Sequence, residues 1–212
     1  MIYLIGGAPR SGKTLLAKSI SKSLGIPWIS ADTIESVVVL HTAKKDIGKL
    51  FPKRVMRRKT KQSNDIMYAQ YSVAQIVNAY IRQSKSIWKA IDMIINCEMC
   101  NGREYIIEGH QIHPAFVARL QKKYSKKSIA SVFLTRSDIP QIIKSCTMHK
   151  QKNDWFVTKT LNKETYPKIA RMISHYSNYF ANEARKHKFK IINMDARFTA
   201  RFSEAIRYLK KV

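Results

Sequence analysis

Eight consecutive residues, Gly7-Ala8-Pro9-Arg10-Ser11-Gly12-Lys13-Thr14, fit the spacing G-x-x-x-x-G-K-[ST] in full. Each fixed position has a task on a polyphosphate. The glycines let the backbone turn its N–H groups onto phosphate oxygens, the lysine reaches the β- and γ-phosphates, the hydroxyl holds Mg²⁺, and the helix start adds a favourable dipole. Gly7, Ala8, Pro9, Arg10, Ser11, Gly12, Lys13 and Thr14 are therefore read as a nucleotide-binding loop. Two acids stand where such a loop can use them. Asp32 follows Trp28-Ile29-Ser30, and a carboxylate there could accept a proton from an attacking hydroxyl or orient a Mg²⁺-bound water. Its purely structural alternative is to cap a helix starting at Thr33. Glu108 ends Tyr105-Ile106-Ile107, a strand end at which a second acid can serve magnesium.

These residues need a frame that brings them to one edge. Met1 to Ile5 is a short apolar run ending in Gly6-Gly7, which predicts a buried strand leading into the loop. Leu15, Leu16, Ala17, Ile20 and Leu24 then recur at helical spacing until Gly25 and Pro27. Further strands are predicted at 28–30, 104–109, 128–135 and 189–193. Helices are predicted at 33–41, 114–127, 139–148, 163–188 and 198–210, with Ser137-Asp138 capping the third of these. The stretch from Asp65 to Cys100 reads as two amphipathic helices broken near Ser84–Ser86, and His149 to Asn162 as polar and irregular. Five strands separated by helices argue for a parallel sheet covered on both faces, within one domain over 1–212. In an open parallel sheet, the C-terminal strand ends face the ligand crevice, which puts Asp32 near the phosphate site.

The 212 residues carry 39 Lys+Arg against 14 Asp+Glu, a net charge of +25, with 45% hydrophobic residues. So much apolar material excludes a mainly disordered basic protein, and its longest runs fall short of the roughly 20 residues of a membrane helix. The charge predicts polyanionic partners, nucleic acid among them. From Lys44 to Lys61 there are nine basic residues against the one acid Asp46. That run could clamp an anionic substrate, track a nucleic-acid backbone, or form a solvated surface. The N-terminus has no basic region ahead of its apolar stretch, so no secretory signal is read and a cytoplasmic location is expected. Cys97, Cys100, Cys146 and His149 could supply four zinc ligands, but their long separation argues against a zinc centre. His110 and His113 flank Glu108; His110 could touch a substrate, whereas His113, before Pro114, is read first as shaping the loop.

The loop, the Ile29-Ser30-Ala31-Asp32 segment and Ile106-Ile107-Glu108-Gly109-His110-Gln111-Ile112-His113-Pro114 resemble the small-molecule P-loop kinases. The last stretch is similar to the I-E-G-x-H-x-x-P segment of 2-phosphoglycerate kinase-like proteins. The resemblance implies an α/β, three-layer P-loop NTPase fold with a five-stranded parallel sheet. It also implies a helical substrate-binding insertion after strand two, over 42–100, and a lid after strand four, over 149–162. ATP and Mg²⁺ are the implied cofactors, with Lys13 and Thr14 on the phosphates and metal. Asp32 is implied on the acceptor, and Glu108 in a magnesium or substrate role. Such lids usually carry arginines, yet none occurs between Ser137 and Ala170. Lys150 and Lys152 are the lid cations expected to close over the site. Arg136, at the end of strand four, either stands in for a lid arginine or is an exposed charge flanking a helix. The expected activity is ATP- and Mg²⁺-dependent phosphoryl transfer to a small anionic or phosphorylated hydroxyl compound. The alternatives are transfer to a nucleic-acid 5′-hydroxyl, and a non-catalytic NTP-regulated module that binds nucleic acid or a partner.

Overall fold

Residues 1–148 and 154–211 are described by the computed structural model. The expected strand at the N-terminus is β1 (Ile2–Gly7), buried along its whole length. Its side chains alternate between two cores, as the two-residue period of a strand requires. Ile2 and Leu4 join one cluster, Tyr3 and Ile5 the other. β2 (Trp28–Ser30), β3 (Tyr105–Gly109), β4 (Ile129–Thr135) and β5 (Lys190–Asn193) complete one parallel sheet in the order β2-β3-β1-β4-β5. A parallel sheet must be covered on both faces. On one face lie α1 (Lys13–Leu24) and α12 (Phe198–Lys211), through Leu16, Ile20, Ala205 and Leu209. On the other lie α7 (Trp88–Cys100), α8 (Pro114–Tyr124) and α11 (Thr165–Lys186), through Ile91, Ile95, Phe116, Val117, Ile173 and Phe180. The three-layer α/β architecture is thus the one expected.

The chain between β2 and α7 departs from the expected helix count. It forms α2 (Ala31–Leu40), α3 (Ile47–Leu50), α4 (Pro52–Lys59), α5 (Asn64–Gln70) and α6 (Val73–Lys85). Three helices rather than two therefore occupy the stretch up to Cys100. The extra break is made by Ser72, which accepts from Gln75 N while the Gln75 side chain accepts from Ser72 N, a reciprocal capping box that starts α6.

After β4 come α9 (Ile139–Met148) and α10 (Trp155–Thr158). The Asp138 carboxylate accepts from Gln141 N at 2.9 Å, the cap anticipated for α9. The expectation of irregular chain through 162 is corrected by α10. Asp154 caps it by accepting from Phe156 N, and Phe156 is fully buried, stacked on Tyr166 at 5.2 Å between centroids. His149, Lys150 and Lys152 lie outside the described residues. Among the described residues, no helix is long and apolar enough to cross a membrane.

Candidate active site

Between β1 and α1 the backbone takes the left-handed region at Gly7 (φ 142°), Arg10 (φ 65°) and Gly12 (φ 95°). A side chain at Gly7 would put its Cβ 2.1 Å from Leu134 O, so the loop can leave the sheet here only without one. Successive N–H groups in such a turn form an anion-binding concavity, and α1 has no acid in its first turn to compete. Within the loop, Ser11 Oγ is buried with no partner among the described residues. Lys13 is buried too, donating from Nζ to Ala8 O at 2.7 Å. Burial lowers its pKa against the opposing pull of Glu108 and Asp32. Thr14 Oγ1 donates to Glu108 Oε1 at 3.0 Å, so helix start and strand end bring their oxygens together. The cradle, the unpartnered hydroxyl and the buried ammonium fit a polyphosphate. The all-oxygen pair Thr14 and Glu108 suits a hard cation such as Mg²⁺.

Across the cavity mouth, Ser30 rather than Asp32 is the N-cap of α2, since its Oγ accepts from Asp32 N. The capping alternative for Asp32 is thereby corrected. Freed from that task, the Asp32 side chain is 68% exposed, opening into a cavity of about 600 Å³ that Lys13, Thr14 and Glu108 also line. Gln111 Nε2 donates to Asp32 Oδ1 at 2.8 Å, and His110 Nε2 lies 3.5 Å from the same oxygen. Enclosure pushes the Asp32 pKa up, but the His110 contact, Lys53 and Gln111 outweigh it and hold the carboxyl well below the usual range. His110 is buried, and desolvation lowers its pKa despite Asp32. Near pH 7 the ring is therefore neutral, with Nε2 in contact with the carboxylate oxygen.

The insertion brings three cations to the cavity. Lys53, Arg54 and Arg57 of α4 line the cavity, whereas Lys44, Lys45, Lys49, Arg58, Lys59 and Lys61 of the same basic run are exposed and outside its lining. The Lys53 ammonium sits 4.5 Å from the Tyr80 ring centroid. Although burial disfavours its charge, Tyr80, Asp32 and Glu35 raise its pKa. The i, i+4 spacing of Lys53 and Arg57, with Arg54 three residues before Arg57, was the available signal behind Pro52.

Other expected residues take different places. Arg136 is buried rather than exposed and does not line this cavity. Its guanidinium donates to Ser145 Oγ at 2.9 Å and Gln141 O at 3.2 Å, bracing α9. Arg10 lines the cavity, but its guanidinium is ion-paired with the buried Asp154 at the head of α10. Tyr176 Oη donates to His110 O, so His113 Nε2 donates to Tyr176 and Nδ1 accepts from Tyr179, each at 3.1 Å. His113, read from the sequence as shaping the loop before Pro114, is a buried core residue. Gln111 occupies the histidine position of the I-E-G-x-H-x-x-P pattern.

No protein-family model matches the chain, and no curated protein does. Among solved structures it is similar to a sugar kinase from Janibacter sp. HTCC2649, at TM-score 0.56 and 11% identity, covering 99% of this chain and 94% of that one. A gluconokinase from Sinorhizobium meliloti 1021 aligns at TM-score 0.52 and 11% identity, covering 99% and 91%. A shikimate kinase from Bacteroides thetaiotaomicron aligns at 0.51 and 15%, covering 100% and 97%. At such identities the likeness is one of architecture, and the fold of this chain is that of the small-molecule P-loop kinases.

Proposed function

We propose that the protein is an ATP- and Mg²⁺-dependent phosphotransferase whose acceptor is a small anionic compound bearing a hydroxyl. The observation that carries this reading is the shared cavity. It holds the phosphate-loop residues Lys13 and Thr14, the carboxylate of Asp32 and the cationic face of α4. Lys13 and the loop amides would bind the phosphates, and Thr14 with Glu108 would hold Mg²⁺. When bound, the metal neutralises charge on the phosphate oxygens. Asp32, kept ionised at neutral pH, can accept the proton of the attacking hydroxyl. Lys53, Arg54 and Arg57 offer an anionic acceptor both charge and, through the arginines, planar paired donors. Trp155 lines the same cavity and helps to exclude water from it.

The test is Mg²⁺-dependent ADP release across sugar acids, nucleosides, nucleotides, phosphorylated metabolites and 5′-hydroxyl oligonucleotides. One class should stimulate turnover. Lys13→Ala should abolish that stimulation, and Asp32→Asn should lower kcat by about 10²–10⁴-fold. Undiminished transfer in Lys13→Ala refutes the reading. The +25 charge favours one rival, a nucleic-acid 5′-hydroxyl acceptor. Stimulation by the oligonucleotides, falling steeply as salt rises, would select it. Tight ATP binding without stimulated turnover would instead indicate an NTP-regulated binding module.

A further inference from the structure

Helix α4 begins at Pro52 without a side-chain cap of its own, which leaves first-turn N–H groups to be satisfied from elsewhere. Gln83, on α6, does so for one of them: its Oε1 accepts from Arg54 N at 3.0 Å. The other end of the same amide donates from Nε2 to Glu35 Oε1 at 2.7 Å. Glu35 in turn accepts from Gln111 Nε2 at 3.0 Å through Oε2, and that Gln111 nitrogen also donates to Asp32 Oδ1 at 2.8 Å. An unbroken line of hydrogen bonds thus joins the start of the cationic helix to the Asp32 carboxylate.

Glu35, Gln83 and Gln111 are buried, the two glutamines completely. Long polar side chains in a core are tolerated when each is held in place. The orientation of Gln111 follows from its neighbours, since two carboxylates require its amide nitrogen and would repel its oxygen. That arrangement leaves Gln111 Oε1 buried without a partner among the described residues. It also needs Gly109, where a Cβ would stand 2.6 Å from that oxygen. A chain that pays for an unsatisfied acceptor and a bare backbone to aim one amide is holding that amide for its donors.

We propose that Gln111, Glu35 and Gln83 are positioning residues that fix the Asp32 carboxylate and helix α4 in one frame. The acceptor's hydroxyl and its anionic group are thereby gripped at a set separation. This rests on the phosphotransferase reading given above. The Gln111 and His110 contacts both fall on Asp32 Oδ1, which leaves Oδ2 for the hydroxyl. The relay selects acceptors by the distance between those two groups; Gln83 and Gln111 stand behind the cavity lining, whereas Glu35 is part of it.

The experiment uses the full chain with Gln111→Met and Gln83→Met, each close in volume and lacking the donor. Asp32 is followed by carboxyl-¹³C NMR titration, its signal identified by its loss in Asp32→Asn. The charged and titratable groups facing it are His110 after β3, Lys53 on α4, Lys13 on α1 and Glu35 on α2. In Gln111→Met, Asp32 should titrate closer to an ordinary aspartate. The acid limb of kcat/KM should move up with it, and kcat should fall about 10–100-fold while ATP binding is retained. In Gln83→Met, the acceptor KM should rise. A folded Gln111→Met with unchanged Asp32 titration and kcat overturns the relay. Should that variant not fold, Gln111→Asn, which keeps an amide but is one methylene too short to reach both carboxylates, carries the same two readouts under the same criterion. If no acceptor stimulates the wild type, the phosphotransferase reading fails, while the titration still decides whether the relay governs Asp32.

Discussion

Gly6 and His113 show how little latitude single positions have beside the site. A Cβ at Gly6 would lie 2.3 Å from Ile112 O and 2.6 Å from the Phe133 ring, and the first of these neighbours is backbone. Gly6→Ala should therefore cost about 1–3 kcal/mol, lowering Tm by roughly 3–10 °C in a melting experiment. His113 carries a pH dependence. Burial, then the neighbouring His110, push its pKa from 6.5 to about 3 in the folded protein. Between those values the unfolded chain binds more protons. Stability is thus complete above about pH 6.5 and is lost as pH falls, with a slope of up to about 1.4 kcal/mol per pH unit from this group. Denaturant midpoints from pH 7 to pH 4 should show the decline, and His113→Gln should flatten it. Lys13, Thr14, Asp32 and Glu108 were legible in the sequence because each sits at a fixed offset within a contiguous strand-loop signal. Gln111, Glu35 and Gln83 were not. Glutamine and glutamate are ordinary surface types, and only contacts across 29, 48, 76 and 79 residues give these three a role.

Helices α5 and α10 lie far apart in sequence yet are stitched together. Asn64 N donates to Lys159 O at 2.8 Å, and its side-chain nitrogen donates to Trp155 O at 3.0 Å and Thr160 Oγ1 at 2.8 Å. Asp65 adds bonds to Leu161 N and the Thr165 hydroxyl. Arg57 of α4 donates to Asn64 Oδ1, so the cationic face is tied to the same hub. Asn64→Ala strands several buried partners and should cost about 1–3 kcal/mol. Hydrogen exchange should rise across Trp155–Thr160 while β1 and β4 keep their protection. The long helices α1, α8, α11 and α12 were all expected from the sequence, α1 and α12 from apolar periodicity, and each has one face on a core. The short ones were not, because α10 has four residues and α5 seven, too few for a period to declare itself. Their places are set by caps and by contacts made only in the folded chain.

At the scale of the whole molecule, most of the surplus charge lies outside the cavity, on helices such as α8 and α11 with exposed lysines. Exposed charge of this kind governs association more than fold. If nucleic acid binds this surface, affinity measured from 50 to 200 mM salt should fall log-linearly, with the slope reporting the phosphates neutralised. A small anionic acceptor in the cavity, meeting only the few cations of α4, should show a shallower dependence. The strand order, too, has a temporal consequence. β1 pairs with nothing near it in sequence: its registers run to Tyr105–Gly109 on one side and Ile129–Leu134 on the other. Contacts of such span form late, after the loss of chain entropy needed to bring them together. During synthesis the nucleotide loop emerges well ahead of both neighbours, so a nascent chain ending before Tyr105 has the motif but neither strand that flanks β1, and one ending before Ile129 has only β3.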